Sequence, residues 1–394
     1  MKNLSVLYSF PRRIGTVGIG MTSWYQVAGL VRQGVQVQLF AGSCEREVEG
    51  LDGLRETLVF AGVKLPMKLL GNRRSLEIHD RIVAKHLPRL HDKEGIDVVH
   101  CWPSGALNTL RAARKLGIKT VLERPSAHTR YVFKVTEDEC RRLGIRLNCS
   151  HYAAWNEKVL AHEEREFDMA DKLLCPSEFV AKTFLEKGFR KERLLRHQYG
   201  FDPLLFSTAK ADCDMRDVLP FTMVYVGDCF PLKGLHLALQ AWVESQASKT
   251  GKFLICGRFS PQYKALLRDY LVHPTIECLG HLSDVQRIMR MSHALTLPSL
   301  AEGSALVTYE ARACGCVLLV SEAAGAKCEH MKEGLLHKPG DVQALRSHID
   351  MLASDRNLLL RLQTNSLASV SALTWEKAAE SLIAAYRECL NATE

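Results

Sequence analysis

The stretch from Ala294 to Val320, ALTLPSLAEGSALVTYEARACGCVLLV, constrains the fold more than any other part of the chain. It opens on an apolar run, Ala294 to Leu297, and breaks at Pro298-Ser299. A Glu302-Gly303-Ser304 turn follows, then a helical segment from Ala305 to Ala313. The stretch stops at Cys314-Gly315 and enters a second apolar run, Val317 to Val320. Strand, glycine-containing turn, helix and strand make a βαβ unit, whose turn lies at the carboxyl edge of a parallel sheet. Backbone N–H groups at Ser304, Ala305 and Leu306 are expected to point out of that helix start with the positive end of its dipole behind them, a site suited to phosphate. Glu302 and Glu310 stand eight positions apart, about 2.2 helical turns, so both carboxylates are expected on one face. Carboxylates accept hydrogen bonds in pairs, which suits sugar diols. Phosphate flanked by hydroxyls describes a nucleotide sugar. The plainer reading makes Glu302 a cap and Glu310 a solvated helix residue.

At 394 residues the chain has room for two ordinary domains. An apolar fraction of 47% with 24% charged residues matches a globular protein rather than a disordered one. No run approaches the roughly 20 apolar residues that span a bilayer, and the start reads as a first strand rather than a signal peptide. Thirteen scattered cysteines read as reduced thiols, so a cytoplasmic location is expected. In that compartment the sequons at Asn3, Asn148 and Asn391 carry no meaning. Charge is uneven: residues 1–206 hold 33 basic against 24 acidic side chains, and the remainder 19 against 20. A basic first half favours an anionic partner such as a lipid-phosphate acceptor, an acidic glycan or an anionic membrane surface at the inner face. No nucleic-acid motif or aromatic-basic platform stands out, so no nucleic-acid partner is expected.

Taken in order, Leu4 to Ser9 reads as a strand, followed by a loop with Gly15, Gly18 and Gly20, a helix from Thr22 to Arg32, and a strand from Val35 to Phe40. The glycine spacing is not G-x-G-x-x-G and no acidic residue follows the second strand, which argues against a dinucleotide-binding dehydrogenase. Asp97 to His100 is a strand whose terminal histidine reads as structural. Lys119 to Glu123 is another, running into Arg124-Pro125-Ser126-Ala127-His128 at a strand's carboxyl end. Residues 136–171 read as charged and helical, with a lid or acceptor-side insertion near Glu137 to Tyr152. The run Glu163-Glu164-Arg165-Glu166 reads as a solvated face. Asp212-Cys213-Asp214 lies in a polar linker outside any strand, where a D-x-D is no metal motif. Val342 through Leu345 and Ile349 to Leu352 give the expected penultimate helix, and Thr374 to Leu390 the last.

Glu302 through Glu310, preceded by Pro298-Ser299 and followed by Ala311 and Gly315, resembles the E-x7-E signature of retaining family-4 glycosyltransferases. The resemblance extends through Val226-Gly227 to Lys233-Gly234, Leu254 to Gly257, Leu279 to Leu282, Ser321 to Gly325, Gly334, Pro339-Gly340-Asp341 and Trp375. It implies an α/β chain of the GT-B fold, with two Rossmann-like doubly wound parallel-sheet domains facing a cleft. The division it implies is 1–205 for the acceptor side, 206–220 for the linker and 221–373 for the donor side, with the last helix returning to the first domain.

The same resemblance implies the chemistry: a hexosyl group moves with retention from a nucleotide diphosphate sugar to a glycan or lipid-linked acceptor, in polysaccharide or glycolipid synthesis. No metal or cofactor is implied beyond the nucleotide-sugar co-substrate. Lys233 and the amides of Gly303 to Leu306 would hold the diphosphate, Glu302 the hexose hydroxyls, Glu310 the ribose, and His128 would orient the sugar. Gly15 and Gly18 would lie over the diphosphate or acceptor, with Arg124 and Arg130 on the acceptor side. In one respect the chain departs from the family: Asp228 stands where members carry an arginine, and a carboxylate repels phosphate. Either Arg258 substitutes or Asp228 turns outward. The same residues are also compatible with a GT-B phosphorylase or epimerase, or with a non-catalytic nucleotide-sugar-binding subunit.

Overall fold

Strands whose side chains are apolar on both faces can only be buried ones, and in parallel sheets helices cover both faces. Val317 to Ser321 is such a strand, buried at every position. The computed structural model describes residues 4–60, 62–64, 71–149, 151–209, 212, 216 and 218–391. It divides into two units. One comprises 1–125, 156–199 and 375–394; the other comprises 126–155 and 200–374.

The first unit holds a seven-stranded sheet in the order β3-β2-β1-β6-β7-β8-β9. Its strands are β1 (Ser5–Ile14), β2 (Gln36–Cys44), β3 (Gly53–Glu56), β6 (Val98–Cys101), β7 (Lys119–Glu123), β8 (Lys172–Cys175) and β9 (Leu194–Arg196). A separate antiparallel pair joins β4 (Val59–Phe60) to β5 (Val63–Lys64). Every pair within the main sheet is parallel. β1 runs five residues past the expected end, because its pairing with β2 resumes at Arg13–Ser43 after an irregularity between Phe10 and Arg13. Helix Ile19–Arg32 follows, three residues earlier than its expected start, and the last helix, Trp375–Asn391, packs within this unit. Tyr25 and Trp375 stack with ring centroids 4.8 Å apart.

A buried polar cluster ties this unit together. Glu123, fully buried at the end of β7, accepts from His197 Nε2 (3.0 Å), the Tyr199 hydroxyl (2.9 Å) and Gln26 Nε2 (3.0 Å). His100 Nε2 lies 3.5 Å from the same carboxylate, while its Nδ1 meets the Tyr386 hydroxyl of the last helix at 2.6 Å. Two other charged groups differ from their expected surroundings. Glu166 is buried rather than solvated, because it accepts from the amides of Ser104 (2.7 Å) and Ala106 (2.8 Å). Arg124 turns inward, over the Phe167 ring at 4.2 Å and 3.7 Å from Glu163, so it is not the acceptor contact expected of it.

The second unit holds a six-stranded parallel sheet in the order β12-β11-β10-β13-β14-β15. These are β10 (Thr222–Val226), β11 (Lys252–Cys256), β12 (Ile276–Gly280), β13 (Ala294–Leu297), β14 (Val317–Ser321) and β15 (Gly334–His337). A domain running unbroken from 1 to 205 is not what packs: residues 126–155 contact the second unit, for reasons given with the site below. Helix Val342–Ser354 is followed by a further helix, Arg356–Ser369, so it is not the penultimate one. Cys213 and Asp214 lie outside the described residues, as do Asn3, Ser150 and Thr393 of the sequons. Asp212 accepts from Arg290 Nε at 2.6 Å, a structural role. No helix among the described residues is long and apolar enough to cross a membrane.

His79 and His100 are both held to about 3 by burial, well below the usual histidine range. Each therefore stays neutral in the folded state while the unfolded chain takes up a proton between about pH 6.5 and 3. Stability is expected to fall as pH drops through that window, beginning above the range in which most carboxylates titrate. His79→Gln, which keeps a polar partner for Ser9 and Thr57, should flatten the slope of thermal midpoint against pH between 6.5 and 4. An unchanged slope would contradict this assignment.

Candidate active site

The carboxyl edge of the second sheet is shaped by two glycines. After β10, the amide of Gly227 donates to the Cys256 carbonyl (3.0 Å) and that of Cys229 to the Arg258 carbonyl (2.9 Å), so the loops after β10 and β11 run side by side. A Cβ at Gly257 would sit 1.9 Å from the Gly227 oxygen, and no side chain fits there. The first loop then makes one 3-10 turn, Pro231–Lys233. Gly234 ends it at φ 71°, where a Cβ would fall 2.1 Å from the Pro298 oxygen. Leu300 donates its amide to Leu232 at 2.8 Å. These approaches bring Lys233, from the end of β10, against the loop that follows β13.

There the Lys233 ammonium pairs with Glu302 Oε1, which also accepts from Ser299 Oγ at 3.2 Å. Burial pulls the lysine down, but Glu302, Tyr152 and Asp228 outweigh it and hold it above the usual lysine range. Lys233 is therefore charged. Glu302 lies in the loop, not on the helix, so the expectation that it shares a helical face with Glu310 does not hold. The helix begins at Leu306, with Ala305 extended at φ −68° and ψ 113° as its N-cap. Ala305 spends its amide on the Ala324 carbonyl (3.1 Å), and the Ser304 hydroxyl bonds Tyr309 (2.7 Å) and Gly325 (2.9 Å). Of the amides expected to face an anion, that of Ala305 is thus taken, while those of Leu306 and Val307 make no hydrogen bond among the described residues, and no side chain caps them. Gly303 is buried next to them.

Glu310, on the first turns of that helix, is half-buried, and its carboxylate makes no hydrogen bond or ion pair among the described residues. Burial pushes its carboxyl up to about 7. Asp228 is exposed and receives the Tyr225 hydroxyl only on its backbone oxygen (2.9 Å). Arg258 is exposed on the adjoining loop, and its guanidinium makes no ion pair among the described residues. A cation thus stands one loop away from the position where Asp228 replaces arginine.

Residues 126–155 are bound to this edge at several points. The Ala127 amide donates to the Glu302 carbonyl at 3.1 Å. His128, buried, caps helix Thr129–Arg142, its Nδ1 accepting the amide of Arg130 at 3.2 Å. That acceptance places the proton of a neutral ring on Nε2. Arg130 is half-buried beside it. Further along, Glu139 lies 2.6 Å from His236 Nε2 and accepts from Arg142 at 2.6 and 3.0 Å. Burial alone would raise the Glu139 carboxyl, but its contacts with His236 and Arg142 bring it to about 2. His151 packs on Phe230 with ring centroids 4.4 Å apart. Nothing in residue spacing foretold that this segment, which lies in the first half of the sequence, belongs with the second sheet. Its charge pattern showed a helix, not the partner of Glu139.

Lys233, Glu302, Gly303, Ser304, Ala305, Leu306, Glu310, Arg258, His128 and Arg130 all lie in the second unit, whereas Gly15, Gly18 and Arg124 lie in the first. Gly15 and Gly18 both have φ near 82°, and Gly18 starts helix Ile19–Arg32. Among the described residues no three histidine, cysteine or carboxylate side chains converge to hold a metal ion.

Two parallel-sheet domains with this edge define a GT-B enzyme fold, and comparison with known proteins agrees. Residues 17–203 match the family described as Glycosyltransferase Family 4, and residues 220–355 match Glycosyl transferases group 1. The chain belongs to these family-4, group 1 glycosyltransferases. A Campylobacter jejuni relative, N,N'-diacetylbacillosaminyl-diphospho-undecaprenol alpha-1,3-N-acetylgalactosaminyltransferase, is 27% identical over 33% of this chain and 36% of its own length. The D-inositol 3-phosphate glycosyltransferase of Segniliparus rotundus is 25% identical over 43% of this chain and 40% of its own. The matched stretches thus span well under half of these relatives. Sucrose-phosphate synthase from Thermosynechococcus elongatus has the same fold, with a TM-score of 0.69 at 19% identity over 98% of this chain and 99% of that one. Anabaena HepE in complex with UDP-glucose does too, with a TM-score of 0.65 at 17% identity over 97% and 99%.

The state of Glu310 gives a direct test. A carboxyl raised above its unfolded value binds its proton more tightly when folded, so its contribution to stability is lost as pH rises from about 4.5 through 7. Glu310→Gln should therefore raise the unfolding free energy at pH 8 by about 1–3 kcal/mol and change it little at pH 4.5. Denaturant titration at the two pH values checks this; equal effects at both would contradict it.

Proposed function

We propose that the protein is a retaining hexosyltransferase that uses a nucleotide diphosphate sugar and delivers the hexose to a glycan or lipid-linked acceptor. The observation that carries this reading is the charged Lys233–Glu302 pair set in the loop that leads into the uncapped Leu306–Ala313 helix. Lys233 and the first amides of that helix meet the diphosphate, and Arg258 supplies the cation that Asp228 does not. Glu302 accepts from hexose hydroxyls and Glu310 from the ribose diol, a role suited to a carboxyl with no protein partner. His128, with its proton on Nε2, donates to the sugar or a phosphate oxygen.

In the reaction the bond from the anomeric carbon to the diphosphate oxygen breaks, and its electron pair leaves with the phosphate. The acceptor oxygen bonds to the same face of that carbon, and its proton passes to the departing phosphate oxygen. Lys233 and the amides stabilise the charge that grows there. These roles need no metal. The uneven charge of the chain, positive in its first half, favours an anionic acceptor and contact with an anionic membrane at its cytoplasmic face.

A second reading, a non-catalytic nucleotide-sugar-binding subunit, is favoured by Asp228 alone. Release of nucleotide from UDP-, GDP-, ADP- and dTDP-sugars, measured without added acceptor, separates the two. Slow release from one donor is expected, lowered about 10²–10³-fold in Lys233→Ala and in Glu302→Gln. Thermal stabilisation by a nucleotide sugar without release, with or without acceptors, would favour the binding subunit. No response to any of them would sink both.

A further inference from the structure

Tyr152 has no part in the chemistry above, yet the fold sets it close to the turn that carries Lys233. It comes from the segment that packs against the donor-side edge. Two contacts hold that segment: the Ala127 amide on the Glu302 carbonyl and the Glu139–His236 contact on helix Leu235–Val243. Beyond these two contacts along the chain, His151 lies on Phe230, the residue immediately before the turn that carries Lys233. The Tyr152 ring stands 4.6 Å from His151 and 6.4 Å from Phe230. Its phenol is within electrostatic reach of Lys233, Glu302 and Asp228. The ring is nonetheless 68% exposed, one of the most exposed large apolar side chains in the protein.

An exposed aromatic face beside a carboxylate and an ammonium has a specific use. A hexose presents hydroxyls around its rim and a patch of C–H bonds on one face. Carboxylate and ammonium groups bind the first, and an aromatic ring binds the second. Leaving such a ring in water gains nothing for stability. We propose that Tyr152 is a specificity-determining residue of the sugar subsite, its ring packing against the C–H face of the hexose in the nucleotide sugar while Glu302 takes the hydroxyls. Because an axial hydroxyl interrupts that face, Tyr152 would rank donors by hexose configuration. This inference rests on the reading of the preceding section.

The test uses the donor that the nucleotide-release panel selects, beside the matching nucleoside diphosphate, which lacks the hexose. Binding of both is measured calorimetrically to the parent protein, Tyr152→Ala and Tyr152→Phe. Tyr152→Ala should weaken the nucleotide sugar roughly 3- to 10-fold and leave the nucleoside diphosphate within about twofold. Tyr152→Phe, which keeps the ring, should bind both as the parent does. Saturation-transfer NMR should show the hexose C–H protons losing signal relative to the base protons in Tyr152→Ala only. Unchanged diphosphate affinity also reports that the variant is folded. If Tyr152→Ala weakens both ligands equally, the residue only supports the loop and the inference is wrong. If it weakens neither, the inference is wrong while the proposed donor stands. If the parent binds no nucleotide sugar at all, the functional reading itself falls, and this inference with it.

Discussion

The pairing of Lys233 with Glu302 is the contact on which the carboxyl edge of the second sheet depends. It joins the loop after β10 to the loop after β13, which are neighbours in the sheet but far apart in sequence. Neither side chain is fully exposed, so each would be costly to leave alone: removing one partner of a buried or partly buried pair strands the other charge. The backbone is shaped to make the meeting unavoidable. Gly234 lets the chain touch the Pro298 carbonyl, and Leu300 bonds Leu232 across the same gap. A side chain at position 234 would force the two loops apart and the pair with them. The pair is therefore less a source of stability than a device that fixes where a cation and a carboxylate stand.

The first unit uses a buried charge differently. Glu123 is surrounded by His197, Tyr199, Gln26 and His100, and through His100 it reaches Tyr386 on the last helix. Burial by itself would neutralise this carboxyl, but the contact with His197 and the hydrogen bond from Gln26 pull it below the usual range. Because Tyr8, Trp102 and Gln26 extend the same chain of hydrogen bonds, parts of β1, β6, helix Ile19–Arg32 and the C-terminal helix share one set of donors and acceptors. Such a network tolerates little substitution. It accounts for how the C-terminal helix finds its place after some 175 residues of the other unit.

Much of the fold was legible because its signals are local. Apolar runs four or five residues long, each followed by a glycine or proline turn and a helix, give parallel strands in the right places from Val98–Cys101 to Val317–Ser321. The family motif marked the loop that holds Glu302 and the turn that holds Lys233. What stayed hidden depended on tertiary partners. Glu166 sits in a run of charged residues that looks solvated, and only the amides of Ser104 and Ala106 make it a core residue. Arg124 follows a strand, as binding residues do, but two phenylalanines claim it. The packing of residues 126–155 on the second unit comes from His151 meeting Phe230 and Glu139 meeting His236, and none of these four has a periodicity that names its partner. The helix starts at Leu306 rather than the expected Ala305, whose amide is taken by the Ala324 carbonyl on another strand's loop.

The charges around the edge also say how donor binding must proceed on the proposed reading. Before a ligand arrives, Lys233 is neutralised by Glu302, and Asp228 stands opposite in sign to the exposed Arg258. The site thus offers a diphosphate little net positive potential; what it offers at once is the pair of amides at Leu306 and Val307. Phosphate drawn to those amides competes with Glu302 for the ammonium. As the ammonium turns to phosphate, the carboxylate loses its partner and becomes available to hydroxyls, with Ser299 still holding one oxygen in place. Recognition of the diphosphate and recognition of the hexose are then one exchange of partners rather than two independent contacts. A free monosaccharide, which cannot draw Lys233 away, would meet a carboxylate already engaged, and a diphosphate without sugar would leave one exposed and unsatisfied. Only the intact nucleotide sugar satisfies both halves, so the same ion pair that positions the loops also selects for the linked donor.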